Sequence, residues 1–266
     1  MSPLLSRVAV IAAGLPLVLF AAYYGSWALL ALLAPAALLA LHELYRMGRA
    51  LRPLVLAGYG GALAAVLGAS WGGPEWMLGG FLLALLLAFA FAAISETRQS
   101  TTVAVAVTVL GAAWIGLGLG SLILVRDLEP DGRLLLITLL LTVFVADTCA
   151  YVGGRIAGRH KLAPGISPGK TWEGLLFGVA GGVLTTWLAL NDYAIEVVGW
   201  EAFALGGVIV LAGVSGDLFE SMVKRDLGVK DSGRVLMGHG GVLDRVDSVV
   251  FAGPAAYFTV LALTQG

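Results

Sequence analysis

Four carboxylates stand within or beside apolar runs in the C-terminal half: Asp147 in VADTCAYVGG, Glu173 in KTWEG, and Asp217 and Glu220 in GDLFESMVKR. Ionisable groups at membrane depth are costly, so each is a functional candidate by default. At roughly 100° per helical residue, Asp217, Glu220, Ser221 and Lys224 share one narrow sector, a stripe with two acids, a hydroxyl and an ammonium. Asp244 and Asp247 follow, three apart and therefore neighbours on one helical face. Carboxylates from separate segments beside Lys and Arg suit a hard cation such as Mg²⁺, which takes one or two carboxylates plus substrate phosphates. For any single pair, internal salt bridging between helix ends is an equal reading. The crowding of the whole set at one end of the spans favours a site.

The segment from Glu220 to Asp247 holds ten of the chain's 33 charged side chains, five basic and five acidic. Within it, GHGG at Gly238–Gly241 reads as a turn whose backbone N–H groups can approach an anion, leading into a helix N-terminus. His239 between those glycines either shapes the turn or donates to a phosphate. A second stretch, PGISPGKT at Pro164–Thr171, ends like a phosphate-binding P-loop, but Pro164 stands where the first Gly belongs and no soluble strand precedes it. The P-loop is rejected. Lys170 with Ser167 and Thr171 still suits phosphate oxygens.

The elements that must position these groups are membrane helices. The chain has 266 residues, 59% hydrophobic and 12% charged, with a mean hydropathy of +0.93; a soluble domain carries about a quarter charged residues. Nine apolar runs are long enough to span: 8–24, 26–45, 54–70, 76–95, 101–125, 134–153, 171–190, 202–221 and 242–264. The first is kept as a span rather than a signal peptide, since no clear small-residue cleavage site follows it. The expected fold is all-α, one polytopic integral membrane domain over 1–266, with its chemistry at about 147–250. Gly174, Gly178 and Gly182 share a helix face and predict close helix packing. The net charge of −1 gives no pull toward nucleic acid. The single cysteine, Cys149, supports neither a disulfide, a Zn site nor a thiol nucleophile, and reads as a small buried hydrophobe.

With the N-terminus placed in the cytoplasm and the spans alternating, 14 of the 16 basic residues fall in cytoplasmic segments. The far side keeps only Arg126 and Arg133. That bias predicts N-in and C-out, with the connections 154–171 and 222–241 on the cytoplasmic side.

SMVKRDLGVKDSGRVLMGHGGVLDRVD resembles the signature of the phosphatidate cytidylyltransferases (CDP-diacylglycerol synthases), S-x-x-K-R-x-x-x-x-K-D followed by H-G-G-x-x-D-R-x-D. The match runs through Ser221, Lys224, Arg225, Lys230, Asp231, His239, Gly240, Gly241, Asp244, Arg245 and Asp247 with no position missing. SPGKTWEG, GDLFES and the pattern at Asp147–Tyr151 are similar to the same family, so the specific likeness covers about 147–250. The resemblance implies an Mg²⁺-dependent reaction in which CTP and phosphatidic acid give CDP-diacylglycerol and pyrophosphate, in a multi-pass protein of the cytoplasmic membrane. It also implies a homodimer. On this reading Asp217 and Asp244 bind metal, with Asp247 and Asp147 in support, and a second, monovalent cation among the carboxylates is left open. Lys170, Lys224, Arg225, Lys230 and Arg245 hold phosphates. Ser167, Thr171, Ser221, Gly240 and Gly241 line the substrate, and Glu173, Glu220 and Asp231 orient the cations. The acyl chains stay in the bilayer while CTP arrives from the cytoplasm.

Two other classes compete. An ion-coupled transporter predicts polar residues spread through the bundle depth and an internal repeat, whereas here the charges gather at one end. A different head-group transferase would show D-G-x-x-A-R followed by spaced aspartates; the only Asp-Gly, Asp131–Gly132, leads straight into an apolar run.

Overall fold

The protein is described from a computed structural model covering residue 14 and residues 16–94, 100–191, 197, 199–233 and 240–264. Among the described residues, seven helices are long and apolar enough to cross a membrane: α1 (Trp27–Met47), α2 (Val55–Ile94), α3 (Thr101–Arg126), α4 (Gly132–Ala157), α5 (Trp172–Asn191), α6 (Trp200–Asp226) and α7 (Leu243–Thr264). Residues 16–24 are also helical and break from α1 at Gly25, whose φ is 62°. Hydrocarbon offers the backbone no hydrogen-bond partners, so an apolar run this long must satisfy itself as helix. The described residues therefore bear out an all-α polytopic membrane architecture.

The 40-residue α2 is not one rod. Gly73 has φ 73° and ψ −158°, followed by Pro74, and the chain folds back there. A β-carbon on Gly61 would collide with Ala84, one on Gly80 with Ala64 and Ala65, and one on Gly68 with the Trp76 carbonyl. The runs expected at 54–70 and 76–95 are thus the two arms of a helical hairpin, zipped by glycines that let the backbones touch. In α3, Ala112–Leu117 forms a π-helical turn. There Trp114 meets Phe219 of α6 edge to face, with ring centroids 4.7 Å apart.

α4 and α5 pack through small residues, as their spacing predicts. β-carbons on Gly174 and Gly178 would press on the Ala150 and Ala146 carbonyls of α4, and one on Gly181 on Cys149. The Thr142 and Thr186 hydroxyls bridge the same pair of helices at 2.8 Å. Between α4 and α5 the chain adds something hydropathy does not show, a two-stranded antiparallel hairpin of β1 (Lys161–Ala163) and β2 (Ser167–Thr171).

Contacts separate the two ends of the bundle. At one, Arg126 donates to the Ala22 carbonyl (2.9 Å) and Arg133 lies 4.5 Å from the Tyr23 ring centre. At the other lie the β-hairpin, the N-terminus of α7 and the C-terminal ends of α1 and α6, where Arg225 Nε donates to the Ile166 carbonyl (3.4 Å).

Candidate active site

The site is assembled at that second end from α4, β2, α6 and α7. Helix α6 carries the stripe expected from its spacing. Ser221 Oγ donates to Asp217 Oδ1 (3.4 Å), and Lys224 Nζ donates to Glu220 Oε2 (2.5 Å). The same ammonium also donates to Asp244 Oδ1 of α7 (2.7 Å). One half-buried lysine is therefore seated between two carboxylates from different helices. Asp244 spends its remaining capacity on backbone, accepting from Gly241 N–H (2.8 Å) and Ser232 N–H (3.2 Å).

Lys170 projects from β2 onto Asp217 Oδ2, 2.8 Å away. Asp147 of α4 feels the charges of both Asp217 and Lys170, and Asp247 of α7 those of Asp217, Asp147 and Lys224. Three helices thus bring three carboxylates into one electrostatic cluster with two ammonium groups beside it. Gly216 makes this closeness possible, since a β-carbon there would collide with the Asp247 carbonyl oxygen. Among the described residues no group of three or more His, Cys, Asp or Glu stands in metal-holding geometry. The donors are nonetheless hard oxygens on partly open side chains, with Asp217 a third exposed.

Other expected site residues fall nearby with different surroundings. Thr171 is buried, and its hydroxyl accepts from Gly174 N–H (3.1 Å), capping α5. Ser167 pairs in register with Ala163 at the tight end of the hairpin. Arg225, Lys230, Asp231 and Arg245 are exposed. Gly240 has φ 83°, a conformation that favours glycine, and Gly241 is buried. His239 lies outside the described residues.

Glu173, expected to orient a cation, has another engagement. Its carboxylate accepts from Arg159 N–H (3.0 Å) and His160 N–H (3.2 Å) and meets His160 Nδ1 at 2.6 Å. It fastens the base of the hairpin that presents Lys170. Sequence reasoning missed one acid altogether, Glu43 of α1. It is 2% exposed and bonded to Ser232 and to the start of α7. An acid in the apolar run 26–45 was the available signal, overlooked because the surrounding N-terminal half offers only hydrophobic spans.

Comparison with known proteins decides the family. A profile described as "Cytidylyltransferase family" matches residues 5–263. The chain belongs to the cytidylyltransferase family. Its similarity to curated relatives agrees. It is 43% identical over 147 residues to a phosphatidate cytidylyltransferase of Brucella melitensis, covering 55% of this chain and 54% of the relative. It is 45% identical over 140 residues to one of Synechocystis sp., covering 50% of this chain and 45% of the relative. Against one of Mycobacterium bovis it is 32% identical over 249 residues, 88% of this chain and 80% of the relative. The chain thus spans about half the length of the first two relatives and most of the third. This cytidylyltransferase-family chain aligns with its relatives far beyond the short signature, since the 249-residue match takes in N-terminal spans as well.

Proposed function

We propose that this protein is a phosphatidate cytidylyltransferase, transferring CMP from CTP to phosphatidic acid with release of pyrophosphate. The observation that carries the reading is the pair of lysines, Lys170 and Lys224, held on carboxylates within one acidic cluster at one end of the bundle. Family membership gives that cluster its chemistry.

In the reaction, an oxygen of the lipid phosphate attacks the α-phosphorus of CTP. The bond from that phosphorus to the α–β bridging oxygen breaks, and the bridging oxygen leaves with pyrophosphate. The nucleophile is already anionic, so no strong base is needed. The obstacle is assembling several negative phosphates, and catalysis here is positioning and charge neutralisation. Lys224, seated between Glu220 and Asp244, cannot drift with its four-carbon stem and presents its ammonium at a fixed point. Lys170, on the hairpin fastened by Glu173, sets a second ammonium on Asp217. The exposed Arg225, Lys230 and Arg245 would meet an incoming triphosphate first. Gly240 and Gly241 would let the backbone approach phosphate oxygens, and the H-G-G motif suggests His239 as a donor to them.

The hard oxygens of these acids suit Mg²⁺: Asp217, with Asp247 or Asp147 in support, would supply one or two carboxylates, substrate phosphates would complete its shell, and it would neutralise charge on the phosphate oxygens. Asp244, whose oxygens already accept from Lys224 and two backbone N–H groups, is read here as the partner of Lys224 rather than a metal ligand. We further propose nine crossings with the N-terminus in the cytoplasm and the C-terminus outside. The hairpin arms of α2 and the basic side chains gathered at the site end support this. The site then faces the cytoplasm in the cytoplasmic membrane, open to CTP, with the acyl chains left in the bilayer. A homodimer is carried over from the family resemblance.

The test is purified protein in detergent with CTP, Mg²⁺ and phosphatidic acid. Pyrophosphate release that depends on the phosphatidic acid is expected. Absence of release, or release unaffected by omitting the lipid, would refute the reading.

A further inference from the structure

Glu43 is separated from its partners by 189 to 200 residues of sequence. Both of its carboxylate oxygens are used. Oε1 accepts from Val242 N–H (3.0 Å), and Oε2 from Leu243 N–H (2.9 Å) and from the Ser232 hydroxyl (3.2 Å). Leu243 opens α7, so an acid from α1 supplies what a helix's own N-cap supplies elsewhere, a partner for N–H groups the helix cannot satisfy. The fit requires glycine on both sides. A β-carbon at Gly233 would collide with the Glu43 carboxylate, and one at Gly241 with both that carboxylate and Ser232 Oγ.

Asp244 fastens the same two strands of chain, accepting from Ser232 N–H and Gly241 N–H while holding the Lys224 ammonium. Glu43 and Asp244 therefore both tie Ser232 to the start of α7. A shift of the first turn of α7 moves Asp244, and Asp244 carries Lys224. We propose that Glu43 is a positioning residue for the transfer, fixing the start of α7 so that Asp244 holds Lys224 where the reacting phosphates need it. It acts through Asp244 and does not touch substrate. The proposal rests on the reading above that Lys224 serves the transfer.

The test compares wild type, Glu43→Gln, Ser232→Ala and the double variant as full-length proteins in detergent, measuring turnover per folded molecule and KM for CTP. Glutamine keeps the size of the side chain but offers one acceptor oxygen instead of two and turns an N–H₂ toward a backbone donor. Glu43→Gln is expected to lower kcat at least twentyfold while KM for CTP stays within threefold. Ser232→Ala should lower kcat about three- to tenfold at unchanged Tm. The double variant should be no worse than Glu43→Gln within about twofold, because the Ser232 hydroxyl works through that carboxylate. Wild-type kcat in Glu43→Gln, a loss carried by KM instead, or losses that multiply in the double variant would overturn the proposal. Should Glu43→Gln fail to fold, Ser232→Ala decides alone, since wild-type turnover there is equally fatal. An inert wild-type protein would instead refute the transfer reading, and the proposal with it.

Discussion

Lys224 and Lys170 sit on carboxylates in quite different surroundings, and the difference sets what their loss should do. The side chain of Lys224 is 13% exposed and those of its partners Glu220 and Asp244 are 2% and 12% exposed, so removing the ammonium strands one buried acid and one partly buried one. Lys224→Met is expected to destabilise the fold by about 3–5 kcal/mol, the usual cost of breaking a buried pair, and to abolish turnover. Thermal unfolding in detergent and pyrophosphate release check the two effects separately. Lys224→Arg should rescue poorly, because a planar guanidinium cannot occupy the point between two acids that an ammonium fills. The Asp217–Lys170 pair is about a quarter to a third exposed, and such pairs contribute little to stability. Asp217→Asn should therefore leave Tm nearly unchanged yet lower turnover at least hundredfold and raise the Mg²⁺ concentration needed for half-maximal rate. Unchanged Mg²⁺ dependence would remove Asp217 from the metal.

Among the elements, glycine decides where the site can close. Gly216 lets α7 approach α6 at Asp247, next to Asp217. Gly216→Val should push these helices apart and lower turnover more than tenfold, while Gly207→Ala on the same helix, where a β-carbon meets open space, should behave as wild type. The apolar runs, the glycine face of α5 and the stripe on α6 were legible because each is a local periodicity that lipid or a packed neighbour enforces. The short β-hairpin was not, because strands of three and five residues carry too little pattern. Nor were the pairings of Lys170 with Asp217, Lys224 with Asp244 and Glu43 with α7, which tertiary packing alone brings together. Spacing grouped the acids of α6 and α7 but could not show that Asp244 and Glu220 share the Lys224 ammonium.

At the scale of the whole molecule, the proposed enzyme joins a soluble nucleotide to a lipid at one end of a helical bundle, with that end proposed to face the cytoplasm. Orientation is open to labelling. A cysteine at Gly165, at the exposed hairpin tip, should react only from the cytoplasmic side, and one at exposed Glu129 only from outside. Reversed accessibility would contradict the N-in arrangement. The central claim is tested most directly by following phosphorus. Wild-type protein given phosphatidic acid, Mg²⁺ and CTP labelled at the α-phosphorus should move that label into a chloroform-soluble CDP-lipid, with unlabelled pyrophosphate released in equal amount. With the label at the γ-phosphorus, it should appear only in pyrophosphate. No labelled lipid from the α-label, or lipid labelled from the γ-position, would contradict the account.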